Sequence, residues 1–400
     1  MIQGRDIVVV GQQPWDVAIG SNCKNIALEF SKHNRVLYVN SPLDRITAIR
    51  NAKEPQVQKR LQVIRGNENG LVNIAHHLWN LYPDRMIESI NWIGSQTIFE
   101  KLNRLNNKRF ADSILRAMQA LQFSNIILFN DNDMFRCFHL KEFLKPAVSV
   151  YYSRDYMLAV DYWKKHGEKM EPELIAQSDV CVANSTYLAD YCRKYNPHAY
   201  YVGQGCELDM FSNYNNPVLP EDMQLIRGPV IGYVGALLGL RLNLDVLTHI
   251  AASRPDWNIV LVGPEDDAFR ASALHGMNNV HFLGSKPPAV LPQYIHAFDV
   301  CLNPQVISEV TIGNYPRKID EYLAMGKPVV ATKTPFMEAV FSGNTYLGTT
   351  GAEYVQLIEK ALQENVPEKV QARKTFAASH TWENSVEAIY KAILSLSLHT

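Results

Sequence analysis

The stretch Gly313-Asn314-Tyr315-Pro316-Arg317-Lys318-Ile319-Asp320-Glu321-Tyr322-Leu323-Ala324-Met325-Gly326-Lys327-Pro328-Val329-Val330 reads as one helix handing over to one buried strand. Proline suits a first helical turn, where the amide it lacks would have no partner. Gly326 suits the left-handed residue that ends the helix, and Pro328 opens an extended apolar run. The spacing predicts a helix over Lys318–Met325 and a strand over Pro328–Thr332. At the helix start, free N–H groups, the positive end of the macrodipole, Arg317 and Lys318 coincide, which suits a diphosphate. Glu321 lies one turn on, on the Lys318 face, where it can accept hydrogen bonds from ribose hydroxyls. The other reading open to Lys318 and Glu321 is a helix face that simply carries solvated charge.

The same alternation extends in both directions. Upstream, β-branched runs at Pro229–Val234, Trp257–Val262, Val280–Leu283 and Asp299–Leu302 flank helical stretches at Asn243–Ser253 and Leu291–Ala297. An earlier set at Asp6–Val10, Arg35–Val39, Asn125–Phe129, Val148–Tyr152, Asp179–Ala183 and Ala199–Val202 brackets helices such as Asn22–Lys32 and Ile98–Leu121. Alternating strands and helices give parallel sheets covered on both faces. The expectation is an α/β chain of two Rossmann-like, doubly wound domains. Residues 1–211 form the first and 229–380 the second, with 212–228 as an Asn-, Pro- and acid-rich linker. A last helix, Trp382–Leu396, falls in a C-terminal segment 381–400. Ligands are expected at the carboxyl ends of the strands, in a cleft that the two domains face.

At 400 residues and 45.4 kDa, with 47% hydrophobic and 20% charged residues, the chain has room for two or three cores and lacks the signature of disorder. No apolar run is long enough to span a bilayer, and the start Met-Ile-Gln-Gly-Arg-Asp has no signal-peptide layout, so a cytoplasmic location is expected. Six scattered cysteines without a C-x-x-C pair read as reduced, buried thiols, and Asn184-Ser185-Thr186 reads as a turn or helix cap. Net charge is −1 and the pI is near 6.9, which argues against a nucleic-acid partner. The charge is unevenly spread. Up to Gly205 there are 25 Lys+Arg against 20 Asp+Glu, and after it 14 against 20, giving +5 and −6. Absent motifs remove further classes: there is no G-x-G-x-x-G after the first strand, no P-loop, no H-E-x-x-H and no G-x-S-x-G.

The run Pro316-x-Lys318-x-x-Glu321-Tyr-Leu-Ala-x-Gly326-Lys-Pro-Val-Val resembles the donor-site signature of GT-B glycosyltransferases. The likeness is to the bacterial group-1 type that builds exopolysaccharide, capsule or teichuronic acid. Gly232-Tyr233-Val234-Gly235-Ala236, Arg254 to Pro264, and Asp299-Val-Cys-Leu-Asn303-Pro304 resemble successive strands of the donor domain. Gly203 to Phe211 resembles the segment closing the acceptor domain. The resemblance implies a nucleotide-sugar donor, a UDP-sugar ahead of a GDP-sugar, and a glycan or lipid-linked acceptor, with no metal or other cofactor. It places the nucleotide over Lys318 and Glu321. Read from the residues themselves, the amides of the Gly235 loop approach a phosphate with Arg241 and Arg317 adding charge, although the Arg and Lys usual in such enzymes do not align cleanly there. Where many relatives carry a second Glu, this chain has Gly313. Glu309, or the N–H groups of Thr311 to Asn314, would hold the sugar instead.

In the first half, Tyr151-Tyr152-Ser153-Arg154-Asp155-Tyr156 ends an apolar strand and resembles the segment whose carboxylate deprotonates the acceptor hydroxyl. Asp155 is the candidate base, an ion pair with Arg154 being the plainer role for it. His76 and His77 are the rivals. Asp131-Asn132-Asp133 mimics a metal-binding D-x-D, though turn chemistry explains it more simply. Trp15 and Asp16, after the first strand, are acceptor candidates, with Gly20 opening the helix that follows. A basic stretch from Asp44 to Arg65 suits peripheral contact with the inner membrane leaflet, the plainer alternative being a solvated loop. The reading is therefore a glycosyltransferase, with a nucleotide-sugar epimerase or a catalytically silent partner subunit as alternatives.

Overall fold

Asp6–Val10 is buried at every position, and a strand apolar on both faces needs cover on both sides. In the computed structural model, which describes residues 1–17, 21–215, 218–309 and 311–396, it is strand β1 of an eight-stranded sheet. The others are β2 (Arg35–Val39), β3 (Leu71–Ala75), β4 (Leu78–Leu81), β5 (Ile127–Asp131), β6 (Val148–Ser153), β7 (Val180–Ala183) and β8 (Ala199–Tyr201), in the order β3-β4-β2-β1-β5-β6-β7-β8. Every pair is parallel except β3 with β4. Alternate residues divide the cover. Ile7, Val9, Phe129 and Tyr152 pack with the helix Asn22–Ser31, and Val8, Val10, Leu37 and Val39 pack with Phe110 and Ile114 of the helix Gln96–Leu121.

This first unit comprises Met1–Gly205 together with Trp382–Thr400. The helix Trp382–Ser395 lays Ile389 and Ile393 into the core, and Tyr390 stacks on Phe30 with ring centroids 5.5 Å apart. Gly205 has to be glycine, because a Cβ there would lie 2.4 Å from the Trp382 backbone nitrogen. Two features depart from the sequence reading. β5 starts at Ile127 rather than Asn125, since Asn125 is left-handed at φ 49. The β3–β4 hairpin adds two strands beyond those expected, β3 being a partly exposed edge strand whose apolar residues Leu71, Val72 and Ile74 do not alternate with polar ones. Gly20 lies outside the described residues.

The second unit, Cys206–Thr381, holds six parallel strands in the order β11-β10-β9-β12-β13-β14. They are β9 (Val230–Val234), β10 (Asn258–Val262), β11 (Val280–Phe282), β12 (Val300–Asn303), β13 (Val329–Thr332) and β14 (Tyr346–Gly348). The segment read as the end of the first domain and a linker belongs to this unit and anchors itself in the core at four apolar positions, most of its other described residues being exposed. Cys206, Leu208, Phe211 and Met223 are buried with Val230 and Tyr322, because their apolar side chains complete one face of this sheet. Asn216 and Pro217 of that segment lie outside the described residues. The helix expected over Lys318–Met325 runs Arg317–Ala324, with Pro316 capping it. Among the described residues, no helix is long and apolar enough to cross a membrane.

Candidate functional site

The helix Arg317–Ala324 is fastened to the end of β9 from below. Tyr322, fully buried, accepts a hydrogen bond from the Val234 N–H at 2.9 Å. Lys318, one turn earlier, thereby lies directly over Gly235, the residue after β9. A Cβ on Gly235 would fall 2.2 Å from Lys318 Cε and 2.5 Å from its Nζ, and the backbone there has φ 144. Only glycine meets both demands. Gly263, after β10, is needed for the same reason, since its Cβ would overlap the Gly235 carbonyl oxygen. These turns lie at the carboxyl edge of the second sheet, where ligands of open α/β sheets bind.

The charges gathered here are poorly matched. Among the described residues, neither Lys318 nor Glu321 makes a hydrogen bond or ion pair, and the Arg317 Nε is buried without a partner. Burial pushes the Lys318 ammonium down, against the pull of Glu321 and with the push of Arg317 and Arg241. Burial pushes the Glu321 carboxyl up, against Lys318 and Arg317. Three cations, against the Glu321 carboxylate and an Asp320 that is turned to His380, leave an excess of positive charge at a helix N-terminus, an arrangement that an anionic ligand relieves.

Asp320, between those two residues, was not singled out in the sequence. It is fully buried and accepts from His380 Nδ1 at 2.6 Å, the Tyr315 hydroxyl at 2.7 Å and the Cys206 thiol at 3.2 Å. The Cys206 N–H in turn bonds the His380 carbonyl at 2.9 Å. One carboxylate thus ties the helix to the first and last segments of its own unit. The available signal was a carboxylate three and four residues before Leu323 and Ala324, on the face that the helix buries.

Several expected contributions to this site are already committed elsewhere. The amides of Gly235, Leu237, Gly239 and Arg241 donate to Val262, Pro264, Asp266 and Leu238, so these four do not cradle a phosphate; the Arg241 side chain remains exposed. In the loop after β12, the amides of Thr311 and Ile312 donate to the Ser308 carbonyl and that of Asn314 to Thr311, so they are not free to hold a sugar. Glu309 is exposed and Gly313 buried in the same turn.

In the first unit, Asp155 follows β6 at the carboxyl edge, paired with Arg154 Nη1 at 2.8 Å and with its side chain about half exposed. Arg154 also binds the fully buried Asp131 through Nε at 2.8 Å, and the Asn132 side chain accepts from the Arg154 and Asp155 amides. Burial pushes the Asp131 carboxyl up, against the pull of Arg154. Asp133 caps the turn at Phe135 and pairs with Arg136, so the acidic triplet is held by turn chemistry and arginines. Among the described residues, no group of three His, Cys, Asp or Glu is clustered as metal ligands would be.

His76 and His77 are displaced as base candidates. They turn the β3–β4 hairpin, with His77 at φ 61, and because β4 runs parallel to β2 this turn lies at the amino edge of the sheet, opposite Asp155. Asp16 makes a two-pronged ion pair with the buried Arg60, and Trp15 packs edge-on against Tyr38 at 5.0 Å. The basic stretch is no loop. It forms the helices Arg45–Arg50 and Pro55–Ile64, with Arg45 bound to Glu88 as well as Arg60 to Asp16.

Residues 228–364 match the family described as glycosyl transferases group 1. That span, about a third of the chain, is similar to a group 1 glycosyltransferase domain. It contains Gly235, Arg241, Lys318 and Glu321, and with them every donor-site candidate. The chain is 26% identical over 246 residues to the Bacillus subtilis (strain 168) protein TuaH, named for teichuronic acid biosynthesis glycosyltransferase activity. That match covers 58% of this chain and 61% of the relative. The structure of Anabaena Alr3699/HepE in complex with UDP aligns at TM-score 0.65 and 15% identity, over 98% of this chain and 100% of that one. Sucrose-phosphate synthase from Thermosynechococcus elongatus aligns at TM-score 0.63 and 13% identity, over 99% and 100%. At these identities the likeness to solved structures is one of fold, and the fold is GT-B.

Proposed function

We propose that the protein is a glycosyltransferase that moves a sugar from a nucleotide diphosphate sugar to a hydroxyl of a glycan or lipid-linked acceptor in cell-surface polysaccharide synthesis. The observation that carries this reading is the Lys318 ammonium, held over Gly235 and the Tyr233 ring at a helix N-terminus without a hydrogen bond or ion pair among the described residues, with Glu321 one turn on, inside the span that matches the group 1 family. Lys318, Arg317 and Arg241 neutralise the diphosphate as the bond from the sugar to its terminal phosphate oxygen breaks, and Glu321 accepts from the ribose hydroxyls. With cations in that role, the leaving group needs no metal. Uridine is the favoured base, in keeping with the UDP named in the HepE complex. The acceptor binds in the first unit, where Asp155 takes the proton of the attacking hydroxyl, and the enzyme works at the inner leaflet.

The test is titration calorimetry with UDP, GDP and their glucose conjugates in EDTA, followed by transfer of labelled sugar to a bacterial lipid extract. Binding of one nucleotide without metal and label in the lipid fraction are expected. Label released only as free epimerised sugar would turn the reading to an epimerase. Absence of nucleotide binding would leave a silent partner subunit.

A further inference from the structure

Apart from the residues discussed so far, the first unit carries a cavity of about 690 Å³. Its walls come from segments that follow β2, β4, β5 and β6, so it opens at the carboxyl edge of the sheet, the edge that also carries Asp155. Ile46, Ile90, Trp92, Phe99, Phe135 and Trp163 line it with hydrocarbon and ring faces. Many of the polar groups of its walls are already engaged. Asn103 donates to the Phe135 carbonyl, Asn106 bonds both the Glu88 N–H and carbonyl, and Asp44 caps its own helix and accepts from Ser89. The Trp92 indole N–H donates to the Ser89 carbonyl, and Lys165 to the carbonyls of Asn91 and Trp92. Asn91 Oδ1 is buried without a partner, and among the described residues the exposed Asp161 carboxylate and Tyr162 hydroxyl, which also line the cavity, make no hydrogen bond or ion pair. A saccharide needs hydrogen bonds from the walls around it, and most of the buried polar groups here are already engaged, while the ring and hydrocarbon faces are open. A hydrocarbon chain needs none.

The mouth of the cavity fits the same ligand. The helix Arg45–Arg50 buries none of its residues, and Ile46, which lines the cavity, is one helical turn from Arg50. Ile49 is 72% exposed and Trp92 74%, a large apolar display for a soluble surface, with an indole of the kind that settles at a headgroup boundary. Arg50, one turn from Ile46, and Lys53, in the turn after that helix, lie outside the lining itself and among the described residues make no side-chain ion pair or hydrogen bond, which leaves two cations for an anionic linkage.

We propose that this cavity holds the hydrocarbon chain of a lipid-linked acceptor, with Arg50 and Lys53 receiving the phosphate that joins chain to sugar. Calling the ligand an acceptor rests on the transferase reading. The preference for hydrocarbon does not, so the two can fail separately.

The experiment is titration calorimetry of the full chain with alkyl β-glucosides from methyl to octyl, below their micellar concentrations, beside octyl phosphate and UDP. Affinity for the glucosides is expected to rise roughly fourfold per added methylene. That slope should flatten in Trp92→Ala and in Ile46→Ser, both at accessible positions where folding is not at stake. Arg50→Glu with Lys53→Glu should abolish the preference for octyl phosphate over octyl glucoside and keep the methylene slope. Affinity independent of chain length, or a slope unchanged in both cavity variants, overturns the proposal. UDP binding without a methylene slope sinks the cavity alone. A slope without UDP binding supports the cavity and sinks the transferase reading.

Discussion

Replacing Lys318 with methionine keeps the stem that covers Gly235 and removes the charge. A hydrogen bond to a charged group contributes about 1.5–3 kcal/mol, so the variant should bind UDP roughly 10- to 150-fold more weakly. Ligand at 100 times its Kd stabilises the folded protein by about 2.7 kcal/mol. For a unit of this size that raises Tm by roughly 5–11 °C, at about 2–4 °C per kcal/mol. At the same UDP concentration the variant retains about 0.3–1.4 kcal/mol, or roughly 1–5 °C.

Without ligand the sign reverses. Burial depresses the Lys318 ammonium, so between its lowered pKa and its ordinary value the unfolded chain binds more protons than the folded one. Stability from this group therefore rises with pH across that window, and at neutral pH its charge is a cost. The methionine variant should melt at or above the wild type in the absence of UDP and lack that alkaline rise. Scanning calorimetry with and without UDP, from neutral to alkaline pH, reads both effects. A variant that melts lower without ligand, or one that keeps the full UDP shift, would refute the reasoning.

Asp320→Ala removes the buried carboxylate that three donors share and should cost on the order of 3 kcal/mol, while Asp320→Asn, which keeps one acceptor, should cost less than half as much; urea midpoints measure the difference. Gly235→Ala forces the Lys318 side chain aside and a left-handed backbone onto alanine, costing about 1–3 kcal/mol and weakening UDP binding together, both read in a ligand-dependent melt. Asp155→Asn should change stability by less than about 1 kcal/mol, because its ion pair is partly solvated, yet slow transfer by roughly 100- to 10,000-fold. An unchanged rate would remove Asp155 as the base. Arg45 and Arg109 hold Glu88 down to about 2, so its stabilising effect is fully present above the ordinary carboxylate pKa and fades as pH falls toward that value. Urea midpoints of wild type and Glu88→Gln should converge between pH 5 and pH 2, and a gap that persists at low pH would refute this.

The sequence alone determined the α/β character, the two sheets and the donor helix, because these follow from local rules. A strand buried on both faces, such as β1, must be apolar throughout, and a helix between Pro316 and Gly326 announces both its ends. The edge strands were read unevenly, β8 and β11 from the sequence but not β3 and β14, because three to five residues are too few for an alternating pattern to separate strand from loop.

Partnership was the part that only the tertiary structure decided. Whether Lys318 lacks a counterion, whether Asp320 meets His380, and whether loop amides are free or engaged all depend on residues distant in the chain brought within 3 Å of one another. His76 and Asp155 looked alike as bases beside strands. The parallel pairing of β4 with β2 put the histidine at one edge of the sheet and the carboxylate at the other. The cavity beneath Trp92 has no motif at all, because it is a space enclosed by segments from four different strand ends, and a volume of that kind exists only once the chain has folded around it.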